Sequence, residues 1–261
     1  MRSFIRLLRK RGSSGFTLVE MIVSVALLAV LMAGMMIFIS PVIRSYNDNQ
    51  VDNNAQNVTT CVQDYISRNI RNSYKMVIFE NTSYTSIKSN SSYTDEIKKM
   101  NDFCNASGDP GLTNKSYLLK CLSLRYDDAD KRFYLWDEAV DMTANGNIKT
   151  ADSKKVFADC LFSDIYVQYE FAKPKNGDYV EGGDKPEFRK DALQMTLTAY
   201  RDEGYSSMIF QGSGITELRQ IKCMLADGKS ESDYYANIVD AGSSTEKDIY
   251  IFYVTRNYNV T

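Results

Sequence analysis

One ionisable residue in this chain is set apart by its position alone. Glu20 lies inside an apolar run that opens at Phe16, and no charged residue follows it from Met21 to Ile39. An ionised carboxylate in lipid costs roughly 2.5–3.5 kcal/mol on insertion scales, and such residues are usually paired and functional. The plainer alternative is that Glu20, about one helical turn inside the run, snorkels to the headgroups. Other chemistry is narrowed by composition. Histidine is absent, which removes Ser-His-Asp triads, Cys-His dyads and His-ligated metal sites. No Walker A sequence occurs, and no G-x-G-x-x-G opens a helix after a strand. Carboxylate pairs, Ser-Lys or a cysteine without histidine remain open, none in a recognisable motif.

Weaker candidates sit further along. Asp127, Asp128 and Asp130 are spaced like part of a calcium loop but lack the glycine and distal glutamate of an EF-hand, so a hairpin turn explains them better. Asp178, Glu181 and Asp184 flank Gly182-Gly183 and meet no ligand-spacing rule; a solvated loop accounts for them. The five cysteines, Cys61, Cys104, Cys121, Cys160 and Cys223, show no metal-knuckle spacing. Outside the membrane disulfides are permitted, and an odd count leaves one thiol over or one bridge between chains. Cys104–Cys121 is the favoured pair because it would close a short polar loop. Buried reduced thiols are the competing expectation.

The elements that must position Glu20 lie on either side of it. Arg2, Arg6, Arg9, Lys10 and Arg11 precede Gly15 with no acid among them. The apolar run that follows has about the length of a bilayer-spanning helix. The basic flank is expected to stay cytoplasmic, leaving the C-terminal bulk outside.

Gly15-Phe16-Thr17-Leu18-Val19-Glu20, behind a short basic leader and ahead of about twenty apolar residues, resembles the processing site of type IV prepilins and pseudopilins. The resemblance covers roughly residues 1–45. It implies that a membrane prepilin peptidase cuts after Gly15 and N-methylates Phe16. It further implies that Glu20 of an incoming subunit pairs with the Phe16 amine of a neighbour and sets axial register. Two charges costly alone in an apolar filament core are tolerable as a pair, and fixing register is the best-attested use of a buried charge. A pair within one chain, four residues apart, is the rival geometry. Helices of this family often carry a proline or glycine that lets the segment bend or melt, and Gly34 and Pro41 match by type.

Two other targeting readings compete. A secretory signal peptide also begins with a basic region and an apolar stretch, but Ser40-Pro41-Val42-Ile43-Arg44 is a poor match to an A-x-A-like cleavage site. An uncleaved anchor is the other.

The remaining chain reads as a leader at 1–15, a membrane or filament-core helix at 16–43, its amphipathic continuation at 44–75, and an exported domain at 76–261. Val51, Ala55, Val58, Val62, Tyr65 or Ile66, and Ile70 share one helical face. Ser67-Arg68-Asn69 and Arg71-Asn72 fall largely opposite. Met76–Glu80 predicts a strand, 81–116 a polar connection with a short helix at 94–104 and a turn at Gly108–Gly111. Tyr117–Tyr126 and Arg132–Trp136 predict a hairpin. Ile165–Phe171, Leu193–Tyr200, Tyr205–Phe210 and Ile249–Thr255 predict further strands. Residues 215–226 fit helix or strand, with helix preferred. The class expected is α+β, a long N-terminal helix packed on a mostly antiparallel sheet.

The 261 residues are 44% hydrophobic, enough for a real core, and carry a net charge of −2. Loss of the five leader cations would take −2 to −7, which disfavours nucleic acid as a partner of the exported part. Asn57, Asn81, Asn90, Asn105, Asn114 and Asn259 open N-x-S/T sequons, expected by chance in a chain rich in Asn and Ser. The 18 tyrosines suit an exported surface or a sheet core equally.

The functional expectation is a non-enzymatic filament subunit without cofactors, of the larger minor pilin or minor pseudopilin kind. Its implied partners are other pilins, prepilin peptidase, a polytopic assembly platform with its ATPase, and the lipid bilayer before assembly. The retained Glu20 argues against the outermost tip subunit, which in this family commonly lacks it. A filament-displayed adhesin or DNA-uptake module, and a membrane-anchored exoenzyme, are the alternatives for residues 76–261.

Overall fold

The structure is a computed structural model that describes residues 17–106, 117–142, 148–175, 177, 188–228, 235–240 and 247–256. The chain divides into two compact units between Gln50 and Val51.

Helix α1 runs Leu18–Ile70. Its first part is dense in Leu, Met and Ala, which are strong helix formers, and it continues through Pro41 and the Asn- and Asp-rich stretch after Tyr46. In the unit that begins at Val51, the face formed by Ala55, Val58, Val62, Ile66 and Ile70 is fully buried. Steps of three and four put these side chains on one stripe, and they join Met76, Ile78, Leu122, Leu124 and Ile251 in the main core. Ser67 and Asn69 depart from expectation. The Ser67 hydroxyl lies 2.7 Å from that of Thr216, and Tyr253 Oη donates to Asn69 Oδ1 at 3.4 Å. The flanks of the buried stripe therefore carry polar ties to the sheets, while Arg68 is exposed.

After α1 come β1 (Lys75–Thr82), α2 (Tyr84–Ser89), α3 (Ser91–Ala106), β2 (Tyr117–Asp127), β3 (Arg132–Met142) and β4 (Ile148–Lys155). A 3-10 turn at Asp159–Phe162 leads to β5 (Tyr166–Ala172), β6 (Ala192–Tyr200), β7 (Met208–Glu217), α4 (Arg219–Ala226), β8 (Tyr235–Asp240) and β9 (Asp248–Arg256). Six strands form one sheet in the order β4-β3-β2-β9-β1-β8, and β5-β6-β7 form a second. Every pairing is antiparallel except β1 with β8. The class is α+β.

The six-stranded sheet is covered on both faces. Met76, Ile78, Ile249 and Ile251 point to the main core shared with α1 and the second sheet. Val77, Phe79, Tyr250 and Phe252 point to a second cluster closed by Ile87 of α2 and by Ile97 and Met100 of α3. A strand buried on two faces has no solvent side to reserve for polar residues. The unbroken apolar runs Met76–Phe79 and Ile249–Val254 follow directly.

Differences from the sequence expectation are local. The stretch after β1 is largely helical: Ser83 caps α2, its hydroxyl accepting from the Ser86 N–H at 3.2 Å, and α3 is longer than 94–104. Strands β4 and β8, both edges, go beyond the strands the sequence predicts. β4 reads IKTADSKK, an edge blunted by lysines and poor in apolar signal. The strand expected at Tyr205–Phe210 begins at Met208 and runs on to Glu217, and helix appears only from Arg219. The backbone N–H of Leu218 donates to Asp191 O at 2.8 Å and that of Arg219 to Arg71 O at 2.9 Å, pinning the junction between strand and helix.

Candidate functional site

Glu20 stands in the first turn of α1, and its local partner is Thr17. The backbone N–H and the hydroxyl of Thr17 each donate to Glu20 Oε2 at 2.9 Å, and the Glu20 N–H donates back to Thr17 Oγ1 at 3.3 Å. This is a capping box, in which a Thr at the helix cap and a Glu three residues on satisfy each other's otherwise unpaired N–H groups. The T-x-x-E spacing of Thr17 to Glu20 was a signal available in the sequence. It identifies a structural role beside any role in pairing with an amine. Gly15 and Phe16 lie outside the described residues.

Beyond this cap the helix is apolar all round. Leu18, Val19, Met21, Ile22 and the apolar side chains through Ile43 are exposed, Phe38 to 73%. Its most apolar window reaches a mean hydropathy of 2.8, so α1 is long and apolar enough to cross a membrane. A helix of that kind requires an apolar surrounding, lipid or other helices. Gly34 and Pro41 both fall within it, with open space where a Gly34 side chain would stand.

The cysteine expectation is corrected. Cys104, in the last turn of α3, and Cys121, on β2, share the second apolar cluster but are separate buried thiols, and the bridge expected between them is not formed. Each behaves as a small hydrophobe, and burial pushes the Cys121 thiol well above its ordinary pKa. Cys61, Cys160 and Cys223 are exposed.

The aspartates at the β2–β3 turn spend their oxygens on the turn itself. Asp127 Oδ1 accepts from the Ala129 N–H at 2.8 Å, and Asp130 Oδ2 accepts from Tyr134 Oη at 2.8 Å. Asp178, Gly182, Gly183, Glu181 and Asp184, and the turn at Gly108–Gly111, lie outside the described residues. Glu138, wholly buried, accepts at Oε1 from Ser123 at 2.9 Å and Ser153 at 3.2 Å and pairs with Arg125, tying β2, β3 and β4 together. At Glu80, burial, reinforced by nearby Asp240 and Glu170, raises the pKa despite an N–H from Phe171 at 3.3 Å.

Against this geometry, residues 10–36 match the family described as the prokaryotic N-terminal methylation motif. The chain carries a prepilin-type motif. That match runs from Lys10 and Arg11 through the Thr17–Glu20 cap and along the apolar part of α1 as far as Met36. No curated protein and no solved structure matches the chain.

Proposed function

We propose that this chain is a structural subunit, a minor pilin or minor pseudopilin rather than an enzyme, of a type IV pilus-like, type II secretion or competence filament. One observation carries the reading: an acid, Glu20, sits in an otherwise uncharged apolar stretch that follows the Gly15-Phe16 step of the matched motif and runs to Ile43. In the uncleaved chain that carboxylate is held by Thr17. Cleavage after Gly15 creates a cationic amine on Phe16, a stronger partner than a neutral N–H. Glu20 of one subunit then pairs with the Phe16 amine of a neighbour, and the desolvation of each charge is offset only in correct register.

The exported domain comprises residues 76–261 in this reading. Prepilin peptidase, other pilin-type subunits, an assembly platform and its ATPase are the partners the reading requires, with lipid around α1 before assembly. Gly34 and Pro41 are the places where the apolar segment would bend or locally unwind on entering the filament.

The test is intact mass and N-terminal sequencing of the membrane-extracted chain, with and without a co-expressed prepilin peptidase. A mature chain beginning at N-methyl-Phe16 only in the presence of the peptidase is the expected result. A chain that still begins at Met1, or one cut beyond Ser40, overturns the reading.

A further inference from the structure

A cleft of about 400 Å³ opens beside the second sheet, within the unit that begins at Val51. Its floor is a polar sheet face. Gln168 on β5 pairs with Thr198 on β6, which pairs with Gln211 on β7, so the three side chains share that face. Gln211 Nε2 donates to Thr198 Oγ1 at 3.1 Å, fixing the amide so that its carbonyl oxygen is oriented. Glu170 lies two residues along β5 on the same face. The walls are tyrosines: Tyr200, Tyr205 and Tyr126 at the end of β2.

One feature marks the cleft as built. Tyr205 is held at φ +53°, a left-handed conformation costly for a bulky residue. It is kept there with its hydroxyl donating to Lys131 O at 3.0 Å and its ring edge-on to Tyr200 at 5.4 Å.

The chemistry of the lining selects the ligand. Carboxamides, hydroxyls and aromatic faces dominate, and the charged groups, Glu170 and Lys247, are of opposite sign. Lys247 is also engaged by the Tyr126 ring, its Nζ 4.2 Å from the centroid. Nothing here concentrates field of one sign to hold an ion, and the polar floor would leave its donors unsatisfied against a hydrocarbon ligand. A molecule that offers both donors and acceptors on every edge and apolar C–H faces between them satisfies all of these groups. We propose that the cleft binds a neutral saccharide, one or two rings in size. This inference does not depend on filament assembly.

The test is saturation-transfer NMR on the full-length chain in a detergent lacking a sugar headgroup. The probes are glucose, galactose, mannose, N-acetylglucosamine, N-acetylgalactosamine and lactose. At least one should show saturation, and Gln168→Ala and Gln211→Ala, both on the open polar face, should each weaken it by about tenfold. The exposed Lys99→Ala should leave it unchanged, and all variants should keep the parent melting temperature. No saturation of any probe up to about 20 mM overturns the proposal. So does saturation that persists in the Gln168→Ala/Gln211→Ala double variant, or saturation of a capped tetrapeptide in place of every sugar.

Discussion

Glu20 Oε2 accepts from both the backbone N–H and the hydroxyl of Thr17, each at 2.9 Å. The carboxylate that would anchor a subunit in a filament is therefore already employed as a helix cap before any neighbour arrives. Capping and intersubunit pairing make different demands. A cap needs only an acceptor, which glutamine retains, whereas pairing with an ammonium needs the negative charge.

Glu20→Gln should accordingly be processed after Gly15 but enter filaments at least about tenfold less well, because a buried cation is left without its counter-charge. Thr17→Val keeps the charge and removes a cap worth about 1 kcal/mol, so incorporation should fall only a few-fold. Quantitative immunoblots of sheared filaments against membrane fractions compare the two. Equal losses would reduce Glu20 to a helix cap.

Gly214 and Gln63 form a second close pair. A side chain added at Gly214 on β7 would stand 1.8 Å from Gln63 Nε2 of α1, which must then move. Because the atoms met are the far end of a flexible, half-buried side chain, Gly214→Val should cost less than about 1 kcal/mol. Gln63→Ala should recover much of that loss in the double variant. Thermal unfolding of the four chains of the cycle measures the coupling, and additive losses would mean that the contact is not what constrains Gly214.

How much of this could be read from the chain differs by element. The Met76–Phe79 and Ile249–Val254 runs, and the buried positions Ile165, Val167, Phe171, Leu193, Met195 and Leu197, were legible because apolar burial writes periodicity directly into sequence. Edge strands were not: β4 and β8 owe their place to backbone pairing with β3 and β1, which leaves little mark on side-chain type. Helix α2, with Ile87 as its buried residue, hid in a polar stretch for the same reason. Of the N-terminal site, Glu20 announced itself by being charged among apolar residues, while its bond to Thr17 needed the capping geometry. The cleft was invisible because Gln168, Thr198 and Gln211 come from three strands and are ordinary until register aligns them.

Glu80 sets an acid-side dependence of stability. Burial and the neighbouring carboxylates Asp240 and Glu170 raise its pKa in the fold. A carboxyl raised in this way binds its proton more tightly folded than unfolded, so its contribution is present below the unfolded pKa and is lost as pH rises through the folded one. Glu80→Gln keeps the acceptor for the Phe171 N–H and cannot ionise. It should melt higher than the parent chain at pH 7, with the difference closing toward pH 4. Thermal scans across that interval check it, and a gap that instead widens on acidification would contradict the sign.

Thiol chemistry separates the two expectations for Cys104 and Cys121. Both are buried, and the Cys121 thiol is pushed above its ordinary pKa by that burial, so the reactive thiolate is suppressed. Cys61, Cys160 and Cys223 are exposed. Maleimide should therefore modify those three in the native chain without reductant and reach Cys104 and Cys121 only after denaturation. A bridge between Cys104 and Cys121 would leave the denatured, unreduced chain with the same three modifications as the native one. Mass spectrometry counts the adducts, and the structure expects all five after denaturation.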